Sequence, residues 1–214
     1  MKLTNKGFSL IELSIVLIII GLLVAGITGG ASLIKSAELR SVMSEIRNYQ
    51  TAVNAYYTAT GKLPGGLDSD QLNFANTGAA WNDIFTEGII DEAPTTTSVL
   101  SSGSLTSNYG MPSKIKGSYY VLGYNDPSPA MDMNVLVIAA GSETPANLKA
   151  GTPANASIPS KDAKFLDEKM DNGIADTGKA RCFQAGKTAV TYFDSNYANA
   201  TTAKDCVIAF GLGL

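Results

Sequence analysis

Residues 8–27 read FSLIELSIVLIIIGLLVAGI, an apolar run whose single formal charge is Glu12. A helix of about 20 residues rises about 30 Å, which matches the hydrocarbon thickness of a bilayer. The residues before it, MKLTNKG, contain Lys2 and Lys6 and no acid. Because basic residues favour the cytoplasmic side of a membrane, we expect the N-terminus to be cytoplasmic and the chain after the run to lie outside.

Two simpler interpretations of this run leave features unexplained. A secretory signal has a shorter apolar region that ends at a small-residue cleavage site, which Ala25 to Thr28 resemble only weakly. A plain membrane anchor explains everything except Glu12, since a carboxylate inside a membrane helix costs about 2.5–3.5 kcal/mol on insertion scales. The alternative is that Glu12 is a polar residue that the membrane helix tolerates. The cost of inserting its carboxylate favours instead a functional Glu12 that has a partner.

The stretch Gly7-Phe8-Ser9-Leu10-Ile11-Glu12-Leu13 resembles the prepilin processing motif of type IV pilins and type II secretion pseudopilins. The motif combines a basic leader, a glycine before an aromatic residue, an acid in the first turns of the mature helix and a long apolar run. The resemblance covers about residues 3–60. It implies that a membrane-embedded aspartyl prepilin peptidase cleaves between Gly7 and Phe8 and N-methylates Phe8. It also implies that Glu12 pairs with the Phe8 amine of a neighbouring subunit in the core of a filament.

The chemistry of Glu12 favours the same role. A buried carboxylate needs a charge-assisted partner, and no Lys or Arg lies within one helical turn of Glu12. Cleavage would create a new amine at Phe8, four residues earlier. Between staggered subunits such a pair would define the register of packing.

The end of the apolar run departs from the family pattern. Many family members have a proline near position 29, whereas this chain has Gly29-Gly30. Glycine lowers helix propensity by about 1 kcal/mol relative to alanine, so the pair predicts a weak point that bends or melts on assembly. Alternatively, small residues here let neighbouring helices approach closely.

After Gly30 the apolar residues recur at spacings of three and four, which is typical of an amphipathic helix. The apolar stripe consists of Leu39, Val42, Ile46, Tyr49, Val53 and Tyr56, and the opposite face carries Lys35, Glu38, Arg40, Glu45, Arg47 and Asn48. Gly61 and Pro64 indicate a stop near Thr60. We therefore predict one helix from Phe8 to about Thr60 whose stripe docks against a globular domain, with coiled-coil pairing as the alternative.

These patterns predict an α+β, pilin-like fold in which the long helix packs on a small antiparallel sheet. The expected parts are a leader (1–7), a transmembrane and filament-core helix (8–29), an amphipathic helix (30–60), and a head (61–214) with a disulfide-bounded region (182–206). Within the head we expect a short helix near 81–90, a hairpin of strands 116–124 and 131–140 with its turn at 126–129, a helix at 160–170, and a C-terminal strand at 207–210.

An acidic stretch follows the predicted helix at 160–170. Asp167, Asp171 and Asp176 cluster around a glycine turn, and oxygen ligands around such a turn are how calcium loops are built. The spacing is not that of an EF-hand. The favoured alternative is a helix C-cap at Asn172-Gly173 with solvated acids, in which case no cofactor is bound.

Both cysteines, Cys182 and Cys206, lie near the C-terminus. With the predicted topology they face an oxidising compartment, so we expect a disulfide. Pilins and several minor pilins have a comparable C-terminal disulfide-bounded region, and the position here resembles it. The loop between them carries Tyr192, Phe193 and Tyr197, which form either a contact surface or part of the core.

Composition narrows the function. The chain contains no histidine, which excludes histidine-based acid–base catalysis and His-ligated zinc within it. Its 16 basic and 19 acidic residues give no cationic surface that indicates nucleic acid as a partner. With no phosphate loop or nucleophile elbow, the chain is predicted not to be an enzyme.

The leading hypothesis is a structural subunit, minor or specialised given its length, of a type IV pilus or related filament. The alternative is a pseudopilin of a type II secretion system, and less favoured is a membrane-tethered calcium-binding or other binding protein. The resemblance implies other pilin subunits, prepilin peptidase and an inner-membrane assembly platform as partners, and membrane lipid before assembly. The expected location is the bacterial inner membrane, single-pass, and then a surface pilus or a periplasmic pseudopilus.

Overall fold

The structure is a computed structural model of the 214-residue chain. It describes residues 7, 9–66, 70–94, 109–125, 131–187, 189–193, 197 and 199–214. The chain divides into two compact units, the first up to Glu38 and the second from Leu39 to Leu214. Helix α1 (Leu10–Thr60) begins in the first unit and ends in the second, so the predicted long helix is confirmed.

In the first unit, α1 is solvent-exposed along its apolar run. It is long and apolar enough to cross a membrane by length and composition, and none of its most apolar window is buried. The helix continues without interruption through Gly29 and Gly30. The predicted weak point is thus not a break in the isolated chain, and its behaviour on assembly stays a prediction.

The second unit is built on an antiparallel sheet with short helices on both faces. Its helices after α1 are α2 (Thr77–Thr86), α3 (Pro145–Lys149) and α4 (Ser160–Met170), and a 3-10 turn covers Phe74–Asn76. Its strands are β1 (Met111–Pro112), β2 (Ser118–Asn125), β3 (Met133–Ala140), β4 (Ile158–Pro159), β5 (Ala180–Gln184) and β6 (Lys204–Gly211).

The C-terminal strand β6 lies in the middle of the sheet. The order runs β1–β2–β3–β6, all antiparallel, and β5 pairs along the opposite edge of β6. Residues 208–211 of β6 pair with β3 and residues 204–206 with β4, so these two strands share one edge. The predicted β2–β3 hairpin is confirmed over eight residue pairs, and its predicted turn at 126–129 lies outside the described residues.

Both faces of the sheet are buried, which is why its long strands read as almost continuous apolar runs. The face toward α1 carries Tyr120, Leu122, Leu136, Ile138, Ile208 and Phe210, and the opposite face carries Val121, Val135, Val137, Ala139, Val207 and Ala209. Phe74 covers the second face at Gly123, where a Cβ would collide with the Phe74 ring. A glycine is therefore required in the middle of β2.

The apolar stripe of α1 packs against the sheet as predicted. Leu39, Val42, Ile46 and Val53 are buried in the core, and Tyr49 packs edge-on to Trp81 and Tyr120 with ring centroids 4.9 and 5.0 Å apart.

One residue assigned to the polar face of α1 behaves differently from the prediction. Glu45 is half-buried, and its Oε2 accepts a hydrogen bond of 2.9 Å from the Tyr120 hydroxyl. Helical periodicity does not reveal this contact, because the contact depends on where β2 lies in the folded head. On the same helix, Gln50 Nε2 donates to the Gly211 carbonyl oxygen at 3.1 Å and ties α1 to the end of β6.

Candidate processing and assembly site

The predicted cleavage junction lies just ahead of α1. Gly7 is exposed and outside the helix, and a Cβ at this position would meet no atom within 4 Å. Phe8 lies outside the described residues, so cleavage between Gly7 and Phe8 and methylation of Phe8 stay predictions.

The first turn of α1 contains a capping box made by Ser9 and Glu12. The Ser9 amide donates to Glu12 Oε2 at 2.9 Å, and the Ile11 amide donates to Ser9 Oγ at 3.4 Å. The Ser9 carbonyl oxygen accepts from the Leu13 amide at 3.2 Å. The Ser-x-x-Glu spacing is the known signature of this motif, so a search for helix starts could have found it in the sequence.

The capping box gives Glu12 a partner before cleavage. Although no charged side chain is close to it in the sequence, a backbone amide binds its carboxylate in the full-length chain. Glu12 is therefore satisfied at the same end of the helix where cleavage would create the Phe8 amine.

Within the part of the chain that the structure describes, nothing covers the rest of the apolar run. Its large side chains between Leu10 and Ile27 are 50% to 89% exposed. An apolar surface of this extent is covered in a stable protein, either by lipid or by the helices of other subunits. The arrangement therefore suits a membrane-inserted helix that can move into a bundle of like helices.

Cys182 and Cys206 form the predicted disulfide, with Cα atoms 6.0 Å apart. They lie on the neighbouring strands β5 and β6, where Cys182 is opposite Ile208 and Cys206 is opposite Gln184. Both cysteines are buried in the core under α1. The disulfide thus joins two paired strands, of which the sequence predicted only the C-terminal one.

The segment between the cysteines covers the free edge of β5. The Gln184 amide donates to the Thr191 carbonyl oxygen at 2.7 Å, and the Phe193 amide donates to the Cys182 carbonyl oxygen at 2.9 Å. Phe193 and Tyr197 are buried, which supports the core interpretation of these aromatics. Tyr192 is partly exposed.

The three aspartates of the possible calcium site have other contacts. Asp167 accepts hydrogen bonds from the Gly173 amide and from the Tyr197 hydroxyl, both at 3.0 Å, and Asp171 Oδ2 accepts from the Ala180 amide at 3.0 Å. Within the described residues, no group of three Cys, Asp or Glu side chains is arranged to hold a metal ion. The carboxylates of Asp167 and Asp171 instead stabilise the loop that follows α4, and nothing in the geometry supports calcium at Asp176.

Asp167 gives the head a pH-dependent contribution to stability. Burial raises its pKa, opposed by the hydrogen bonds from Gly173 and Tyr197. Because the folded-state pKa lies above the unfolded value, the contribution is fully present below the unfolded pKa. It is lost as pH rises through the folded pKa. We expect Asp167→Asn, which keeps an acceptor for the Gly173 amide, to gain stability relative to the unmodified chain as pH rises from about 4 to 7.

Denaturant unfolding of the detergent-solubilised chain at several pH values would measure this effect, with the exposed Asp91→Asn as the control. A stability difference between Asp167→Asn and the unmodified chain that stays constant with pH would contradict it.

Residues 2–28 match the family described as the prokaryotic N-terminal methylation motif. Among solved structures, the chain is similar to the major type IV pilin PilA1 from Clostridium difficile, with 16% sequence identity and a TM-score of 0.40. That similarity covers 85% of this chain and 98% of the pilin. No curated protein sequence matches the chain.

Proposed function

We propose that this chain, which carries the N-terminal segment of the pilin and pseudopilin family, is a structural subunit of a type IV pilus or a related filament. The observation that carries the proposal is the apolar half of α1. It is exposed along its whole length, contains one acid in its first turn, and follows a glycine that lies outside the helix.

The proposed sequence of events begins in the inner membrane. The apolar run holds the chain there, with the leader cytoplasmic and the head outside. A prepilin peptidase removes residues 1–7 and methylates the Phe8 amine. The assembly platform then extracts the subunit, and the apolar face of α1 exchanges lipid for the helices of neighbouring subunits.

Glu12 changes partner during this process. In the full-length chain its carboxylate binds the Ser9 amide within the same helix. In a filament it pairs with the Phe8 amine of a neighbouring subunit, since an ammonium group is a stronger partner for a carboxylate than an amide. A mispositioned subunit would leave both charges buried and unpaired, which selects one register.

The head has a structural role in this proposal. Its core, disulfide and hydrogen-bonded loops form one folded unit from Leu39 to Leu214, and its helix α1 continues directly from the membrane segment. A minor or specialised position in the filament agrees with the length of the chain.

Mechanical shearing of cells that express the tagged chain with its own assembly genes tests the proposal. We expect the chain in the sheared fraction and, by immunogold electron microscopy, along or at the tip of surface filaments. A chain found only in short periplasmic assemblies would support the pseudopilin alternative. A processed chain that stays monomeric in the membrane would contradict a structural role.

A further inference from the structure

The head carries a groove with a basic rim beside α1. We call it the basic groove and define it by Arg47, Gln50, Asn54, Lys179, Phe210 and Leu212; its volume is about 530 Å³. Phe210 and Leu212 give it an apolar floor at the end of β6. Arg47 and Lys179 are exposed on its rim. A groove of this kind suits a chain segment that combines apolar and acidic residues.

The lining of the groove carries one more positive than negative charge, since Asp171 is the one carboxylate beside Arg47 and Lys179. Among the described residues, the structure shows no ion pair for the side chain of Arg47 or Lys179. The one carboxylate that lines the groove, Asp171, already accepts hydrogen bonds from the Lys179 and Ala180 amides. The two cations are therefore available to a carboxylate from another molecule.

The same head presents a segment with the complementary character. Residues 83–92 contain four acids and no base. Asp83 is used inside the fold, where its Oδ2 accepts from the Gly65 amide at 2.8 Å. The other three, Glu87, Asp91 and Glu92, are exposed. We call residues 87–92 the acidic turn; it also contains Ile89 and Ile90, which are only partly buried.

The negative charges in and next to the acidic turn affect the pKa values of tyrosines on α1. Burial raises the pKa of Tyr49 to about 12, and the charges of Glu92 and Glu45 add to the increase. Burial likewise raises the pKa of Tyr56, with added contributions from Asp83 and Glu87 and an opposing one from Lys62. Both tyrosines lie on α1, so the acids of this region act on the side of the helix that faces them.

The two surfaces lie beside different elements of the head. The basic groove lies between α1 and the end of β6, and a second groove between α1 and the acidic turn is lined by Tyr49, Ala55 and Ile90. The exposed Thr51 lines both. The Trp81 indole N–H donates to the Tyr120 carbonyl oxygen, and this hydrogen bond holds α2, the helix that precedes the acidic turn, against β2. Lys179, in contrast, comes immediately before β5, which lies at the other edge of the sheet.

We infer that the basic groove receives the acidic turn of a second copy of this chain. The contact joins two different patches, so it is heterologous and extends from copy to copy; when the rotation between copies does not close a ring, it generates a helical filament. A contact between two acidic turns would place like charges together and is disfavoured. This inference rests on the proposed function, because the filament supplies the second copy.

Charge reversal in the full-length chain tests the contact. Arg47→Glu with Lys179→Glu makes both surfaces acidic, and Asp91→Lys with Glu92→Lys makes both basic. Each double variant should lower the yield of sheared filaments by about tenfold or more, since it replaces attraction by repulsion at two charge pairs. Co-expression of the two double variants should restore assembly, because the acidic groove of one then receives the basic turn of the other.

Matched controls reverse charges outside both surfaces. Asp70→Lys and Lys161→Glu alter exposed residues and should leave filament yield unchanged. An unfolding midpoint equal to that of the unmodified chain shows that the head of each variant has folded. Normal yield from both double variants would overturn the inference, and so would failure of both without rescue on co-expression. Filaments from the unmodified chain in the same experiment separate these results from a failure of the proposed function.

Discussion

Replacing Glu12 by valine is expected to leave the chain in the membrane and to remove it from filaments. The substitution deletes a carboxylate whose insertion into lipid costs about 2.5–3.5 kcal/mol, so the variant should insert at least as well as the unmodified chain. It also deletes the partner of the Phe8 amine, and a buried charge left without its partner costs about 3–5 kcal/mol. We expect the yield of filaments to fall by about a hundredfold or more.

The matched variant Glu12→Gln separates the two roles of this side chain. Glutamine can still accept a hydrogen bond from the Ser9 amide, so it preserves the cap of α1. It carries no charge, so it removes the ion pair. Both variants should therefore be found in the membrane fraction and lost from the sheared fraction. Normal filament yield from Glu12→Gln would show that the charge is not needed, and it would leave the capping box as the role of Glu12.

Removal of the disulfide should produce the largest loss of stability in the head. Cys182 and Cys206 close a loop with a sequence separation of 24 residues. Such a closure contributes about 3.5 kcal/mol in the chain-entropy description. The double variant Cys182→Ala with Cys206→Ala should lower the free energy of unfolding by about that amount. It should also expose the segment at 191–193 that covers the edge of β5, because β5 is held to β6 at this point.

Denaturant unfolding of the solubilised chain with and without reductant measures this loss, and limited proteolysis locates the first cleavage. Reductant should destabilise the unmodified chain and leave the double variant unchanged. A double variant as stable as the oxidised chain would contradict the structural role of the disulfide.

The parts of the fold that the sequence predicts well are those with strong periodicity. The apolar run and the stripe from Leu39 to Tyr56 specify one long helix, and the apolar strands β2 and β3 specify a hairpin. Each pattern extends over eight or more residues and agrees with the tertiary packing, so local and global preferences coincide.

The parts that the sequence does not predict depend on distant neighbours. Strand β5, with the sequence ARCFQ, is five residues long and shows no clear alternation. It is a strand because β6 pairs with it and the Cys182–Cys206 bond joins the two. The central position of β6 is likewise a property of the whole sheet. Local propensity does not encode such pairings, since strand formation depends strongly on context.

The residues of the candidate site likewise divide into those that a local pattern predicts and those that depend on distant neighbours. Gly7, Phe8 and Glu12 follow from a short motif whose spacing can be identified in one sequence. The Ser9 cap could also have been found, because its Ser-x-x-Glu pattern is local. The link from Asp167 to Tyr197 could not, since the two residues are 30 positions apart and meet only when the loop after α4 has folded.

The intact mass of the chain recovered from sheared filaments tests the central proposal most directly. We predict a mass that lacks residues 1–7 and includes one added methyl group, with fragmentation placing that group on the Phe8 amine. A filament chain that begins at Met1, or at any residue other than Phe8, would contradict processing at the Gly7–Phe8 junction and the pairing of Glu12 with a new amine.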